Sequence, residues 1–128
     1  MTVINLWTLL LKKLNLHKYQ IYFRGIFWIS FIGSYVAAVS PQDLAPVIGP
    51  LSDKMHHILA FFILGILLSL AYEMKHRYTC LFLLLYGIFI ELSQLFTINR
   101  SADVMDVFAD LIGIVIGLTL YIYLKKSL

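Results

Sequence analysis

Apolar residues run along the chain in four long blocks, and the polar residues that interrupt them fall into short, ordered groups. The blocks near residues 21–39, 58–72, 78–96 and 104–124 predict four helices. Their lengths lie near the roughly 20 apolar residues a helix needs to cross a bilayer. Ser40 to Leu51 separates the first two blocks and holds Pro41, Pro46 and Pro50, every proline in the protein. That density excludes a regular helix and predicts a constrained loop. Glu73 to Arg77 is a short polar turn, and Thr97 to Ser101 is another. Residues 1–20 follow a different pattern. Asn5, Thr8, Lys12 and Asn15 make a narrow polar stripe beside Ile4, Trp7, Leu11 and Leu14. This predicts an amphipathic helix lying in the membrane interface, its apolar run too short to span.

Composition agrees with the pattern. Of 128 residues, 61% are hydrophobic and 13% charged, where a soluble domain has about a quarter of its residues charged; the mean hydropathy is +0.87. The fold class expected is therefore all-α: an integral membrane bundle of four transmembrane helices in one domain, residues 21–128, preceded by the interfacial segment. A cleaved leader is the alternative for the first block, since Ala38 and Ser40 follow an apolar core. The 24 residues before Gly25 are long for a leader's basic region and Pro41 would follow the cut, so a retained helix is preferred. Basic residues set the orientation. Eight lysines and arginines (Lys12, Lys13, Lys18, Arg24, Lys75, Arg77, Lys125, Lys126) fall on one side, and two, Lys54 and Arg100, on the other. The positive-inside rule then puts both termini in the cytoplasm.

The stretch from Gly87 to Gly117 carries most of the chemistry. It is strongly apolar yet holds Glu91, Gln94, Arg100, Asp103, Asp106 and Asp110. Charges at membrane depth cost several kcal/mol each unless paired or hydrated. Glu91 and Gln94 share one helical face, and Asp103, Asp106 and Asp110 form a stripe on the next helix. Counting back from the turn sets Glu91 and Asp106 at comparable depth, with Arg100 at the tip able to fold between them. The acids reach only into the outer leaflet, a polar funnel rather than a channel, which weakens transport as a function. Asp53, His56 and His57 sit at i, i+3 and i+4, so one histidine is expected to meet Asp53. Metal ligation by the histidines ranks below that pairing, because the other ligands would have to come from separate helices. Gly113 and Gly117 form a small-x3-small pair that hints at close helix packing.

These residues resemble a known signature. Asp53-Lys54 followed by His57 and Phe61 is similar to the DK-x2-H-x3-F motif of the VanZ-like family. Glu91-x2-Gln94, Arg100-Ser101 and Asp103-x2-Asp106-x3-Asp110-x2-Gly113 resemble its E-x2-Q, R-S and D-x3-N-x2-G block. The last polar position is often asparagine in that family and is Asp110 here. The resemblance implies a bacterial inner-membrane protein of the cell envelope, in a family whose namesake is associated with resistance to glycopeptides, especially lipid-tailed teicoplanin. It gives a phenotype class and no reaction.

Several function classes are excluded or disfavoured by what the chain lacks. No Gly-rich phosphate loop, paired-cysteine motif or basic-aromatic run for nucleic acid occurs, and the single Cys80 lies in an apolar block. No cofactor is expected. Membrane lipids are the expected partners, with a lipid-linked envelope precursor or a lipoglycopeptide as ligand. The expected site is Asp53, Lys54, His57, Glu91, Gln94, Arg100, Ser101, Asp103, Asp106 and Asp110. It is read as a non-catalytic binding or modulating site. The alternative is a small membrane enzyme with a carboxylate/histidine acid-base or metal site, using Glu91 or Asp106 as general base and His57 as acid or ligand.

Overall fold

The computed structural model describes residues 16–41, 53–98 and 102–127. It contains four helices, α1 Leu16–Val39, α2 Asp53–Ala71, α3 His76–Gln94 and α4 Val104–Ser127, and no strand among the described residues. The protein is an all-α membrane bundle. The amphipathic pattern of residues 1–15, the proline loop over residues 42–52 and the Asn99-Arg100-Ser101 tip lie outside the described residues.

The helices extend past the apolar blocks. α2 takes in Asp53 to His57, and α3 takes in His76 and Arg77. α1 begins at Leu16 and runs unbroken through Gln20 into the first apolar block, although the pattern had assigned Leu16 to Gln20 to the interfacial segment. A helix bonds its own backbone, so polar side chains at its ends do not stop it at the membrane edge. By length and apolarity α1, α2 and α4 could each cross a membrane alone. α3 carries His76, Arg77, Glu91 and Gln94 and is held instead by its neighbours. Its buried residues Thr79, Leu83, Tyr86, Gly87, Ile90, Glu91 and Gln94 follow one stripe. The opposite stripe, with Leu85 and Phe89 more than half exposed, faces outward as lipid-facing helices do.

α2 and α4 share the most extensive interface, α1 lies against α2 and α3, and α4 also packs on α3. Two glycines explain why α4 sits so close to α2. A Cβ on Gly117 would stand 2.6 Å from the Phe62 carbonyl oxygen, and one on Gly113 would overlap that of Ile58. Only glycine permits backbones this near, as in small-x3-small pairs generally. Phe27, Phe61, Leu64, Leu83 and Ile114 fill the centre. Phe31 stacks on Tyr86 at 3.9 Å between ring centres, and the Tyr86 hydroxyl donates to the Phe31 carbonyl at 2.8 Å.

Consecutive helices run antiparallel, so like residues gather at two ends. At one, Arg24 Nε donates to the Ala71 carbonyl at 3.0 Å with its guanidinium over Tyr72. His76 meets the Tyr121 ring, and Lys125 lies over that ring too. At the other end stand the start of α2, the end of α3 and the start of α4, where the acids are.

Candidate functional site

Three helices bring Lys54, His57, Glu91, Asp103, Asp106 and Asp110 together at this second end. Asp103 begins α4 and caps it: its Oδ1 accepts the Met105 backbone N–H at 2.9 Å. Its own backbone N–H donates to Glu91 Oε2 at 2.9 Å, tying α4 to α3. Its Oδ2 takes Lys54 Nζ at 2.9 Å, tying α4 to α2. The Lys54 ammonium and the Met105 N–H hold the Asp103 carboxyl below the usual carboxylate range. Asp103 therefore serves the helix junction with both oxygens and its N–H.

Deeper in, Lys54 Nζ also reaches Asp106 Oδ1 at 2.9 Å. The second Asp106 oxygen, Oδ2, lies 3.7 Å from His57 Nε2. On its other side His57 Nδ1 contacts Asp110 Oδ1 at 2.7 Å. His57 turns across to α4, because the glycine-mediated approach of α2 brings it within reach; the expected pairing of a histidine with Asp53 falls on a side chain outside the described residues. Among the described residues Lys54 bridges two carboxylates, Asp103 and Asp106. Arg100 and Ser101 lie outside the described residues, and only the backbone of Asp53 is described.

The interior of the cluster is nearly dry. Glu91 is 6% exposed, Asp106 5% and Asp110 0%. Two carboxylate oxygens there, Glu91 Oε1 and Asp110 Oδ2, have no hydrogen-bond partner among the described residues. A buried polar atom without a partner is costly, and such atoms are few in native structures. His57, Glu91 and Asp106 each present one donor atom, and the three atoms lie within 4.8 Å of one another. The separate helices that counted against metal ligation in the sequence thus converge.

Not every expected residue joins the cluster. Gln94 turns toward α1, where its Nε2 donates to the Ala38 carbonyl at 3.1 Å. One position was missed. Gly87 faces Asp110, and a Cβ there would stand 2.6 Å from Asp110 Oδ2. Its spacing one turn before Glu91, on the same stripe of α3, was the available signal.

The VanZ/LLP1 family model matches residues 4–125. The chain belongs to the VanZ/LLP1 family. No curated protein and no solved structure matches it. The family match spans α1 to α3, α4 to within two residues of its end, and every residue of the cluster. In this VanZ/LLP1 protein the partner of His57 is Asp110.

Proposed function

We propose that this VanZ/LLP1 protein is a four-pass bacterial inner-membrane protein with both termini cytoplasmic. Its acid-rich end faces outward and binds an envelope ligand without turning it over. The observation that carries this is the convergence of Lys54, His57, Glu91, Asp106 and Asp110 from three helices into a cluster with buried carboxylate oxygens that have no partner among the described residues. Intramembrane ionisable groups are functional by default. Among the described residues, four carboxylates share one lysine ammonium in the cluster, an excess that a ligand with cationic character would offset. The basic residues Arg24 and Lys125 gather at the opposite end, which supports the outward placement of the acids.

The phenotype follows the family: overproduction raises tolerance to a lipid-tailed glycopeptide more than to one lacking the tail. The test compares inhibitory concentrations of the two drugs in a host whose surface both reach, with membrane insertion verified. Equal shifts, or none, with the protein inserted would count against an envelope role of this kind. The His57–Asp110 pair favours a second reading, a membrane enzyme in which His57 moves a proton on a lipid-linked substrate. Release of a product from purified lipid precursors by the protein would establish it over simple binding.

A further inference from the structure

The geometry points to a divalent-cation site in which His57 Nε2, Glu91 and Asp106 are the protein ligands and Asp110 positions the histidine. It rests on the reading of this cluster as a ligand-binding site, and it names the ligand's chemistry as a borderline transition cation of the zinc type.

Four observations converge on it. The first is the donor set. One imidazole and two carboxylates, each from a different helix, present atoms within 4.8 Å of one another. Zinc bonds to such donors are about 2.0–2.2 Å, which sets opposed ligands about 4.2 Å apart and tetrahedral neighbours about 3.4 Å apart. His57 Nε2 and Asp106 Oδ2 are already 3.7 Å apart.

The second is the arrangement around the histidine. Asp110 Oδ1 sits 2.7 Å from His57 Nδ1, the ring nitrogen remote from the cluster. A carboxylate there accepts a hydrogen bond from Nδ1–H, which fixes the tautomer and leaves the Nε2 lone pair facing Asp106 and Glu91. Metal-binding histidines are held in this way by a carboxylate or carbonyl behind the ring. Asp110 is fully buried and Gly87 leaves space for its second oxygen.

The third is the second oxygen of each carboxylate. Glu91 is held by Oε2 on the Asp103 N–H, and its Oε1 has no partner among the described residues in a side chain 6% exposed. Asp106 gives Oδ1 to Lys54 and keeps Oδ2 toward the histidine. Each carboxylate is thus anchored by one oxygen, which leaves the other for the ligand.

The fourth is charge. Among the described residues, Lys54 contacts Asp103 and Asp106, and Glu91 and Asp110 add two further carboxylates without a lysine or arginine contact. A divalent ion offsets that excess. The imidazole favours zinc, iron or cobalt over magnesium and calcium, which prefer all-oxygen shells. Three protein ligands leave a coordination position for an exogenous group.

The test uses the full chain purified in detergent with an affinity tag free of histidine. Zinc, cobalt, magnesium and calcium chlorides are titrated into chelator-treated protein, followed by thermal unfolding, calorimetry and, for cobalt, visible absorption. One zinc per chain with a raised Tm, little response to magnesium or calcium, and intense tetrahedral cobalt bands are expected. His57→Gln, Glu91→Gln and Asp106→Asn should each weaken zinc by about 100-fold or more, and Asp110→Asn by about 10–100-fold. His76→Gln, at the opposite end, should bind as the parent does. Each variant's unfolding in the absence of metal shows that it is folded, and the cobalt spectrum of the parent stands without any variant. No zinc-dependent shift in the parent, or zinc binding unchanged in His57→Gln and Glu91→Gln, would overturn the site. The two proposals fail separately. If zinc does not bind while Glu91→Gln still abolishes drug tolerance at normal abundance, the metal falls and the envelope site stands. If zinc binds and tolerance is unaffected, the reverse holds.

Discussion

Replacing Gly113 by alanine should loosen the whole acid end. The new Cβ would overlap the Ile58 carbonyl oxygen and stand 3.1 Å from both Ile58 C and Phe62 N. All three are backbone atoms, so no side-chain rotation relieves the contact and α2 must move. At Gly117 the Cβ would lie 2.6 Å from the Phe62 carbonyl oxygen, 0.8 Å inside the 3.4 Å at which ordinary contact begins. Forcing extra volume into a packed contact costs about 1–3 kcal/mol, and the better helix propensity of alanine returns at most about 1 kcal/mol. Both variants should therefore unfold more easily, by about 1–2 kcal/mol net. Gly33 and Gly25 meet nothing within 4 Å, so alanine there should be neutral or slightly stabilising. The two close glycines differ in their second effect. Ile58 follows His57 directly, and Gly113 lies one turn from Asp110, so Gly113→Ala also pulls His57 away from its partner. Gly117 is a further turn from the cluster and its variant should spare it. Denaturant or thermal unfolding in detergent, with wild type and Gly33→Ala as references, measures the first effect. Gly113→Ala unfolding like Gly33→Ala would refute the packing argument.

Gly87→Ala should leave the bundle assembled but displace Asp110, because the new Cβ meets a side-chain oxygen, Asp110 Oδ2, at 2.6 Å. Its signature is a changed histidine NMR signal from His57 at near-normal Tm. The Asp103 carboxyl, held below its ordinary value of 3.8 by Lys54 and the Met105 N–H, gives a defined acid limb. Folding lowers this pKa, so its contribution is complete above 3.8 and is lost as pH falls through the lower folded value. Melting of wild type and Asp103→Asn should therefore differ at pH 7 and converge at strongly acid pH; a constant difference would contradict it. In a Cys80→Ala background, a cysteine at Thr97 should react with an impermeant reagent from outside and one at Lys75 should not. The reverse pattern would invert the topology.

Much of the architecture was readable because each helix carries its own evidence. The apolar blocks marked α1 to α4, and the stripe of Asp103, Asp106 and Asp110 marked the junction residue Asp103 and the buried face of α4 at Asp106 and Asp110. Gly113 and Gly117 pointed to a close helix contact without saying with which helix. That was the general boundary. Periodicity says which side chains share a face, but it does not say which neighbour that face meets. The meeting of His57 with Asp110, and the turn of Gln94 toward Ala38, depend on how α2 and α1 lie against α3 and α4. Local spacing carries no information about a partner on another helix. Gly87 was marked only by its place one turn before Glu91, a weak signal because glycine is common in membrane helices; Asp110 opposite it makes it decisive.

The central claim is that the buried cluster is a ligand site and not merely a brace between helices. Glu91→Gln tests it most directly. The glutamine amide oxygen can still accept the Asp103 N–H that Glu91 Oε2 accepts at 2.9 Å, so the tie between α3 and α4 survives while the charge is removed. Membrane abundance, Tm and glycopeptide tolerance are measured together on the same preparation. The account predicts lost tolerance with abundance and Tm close to wild type. Unchanged tolerance at normal abundance, or tolerance that falls only in step with abundance and Tm, would contradict it.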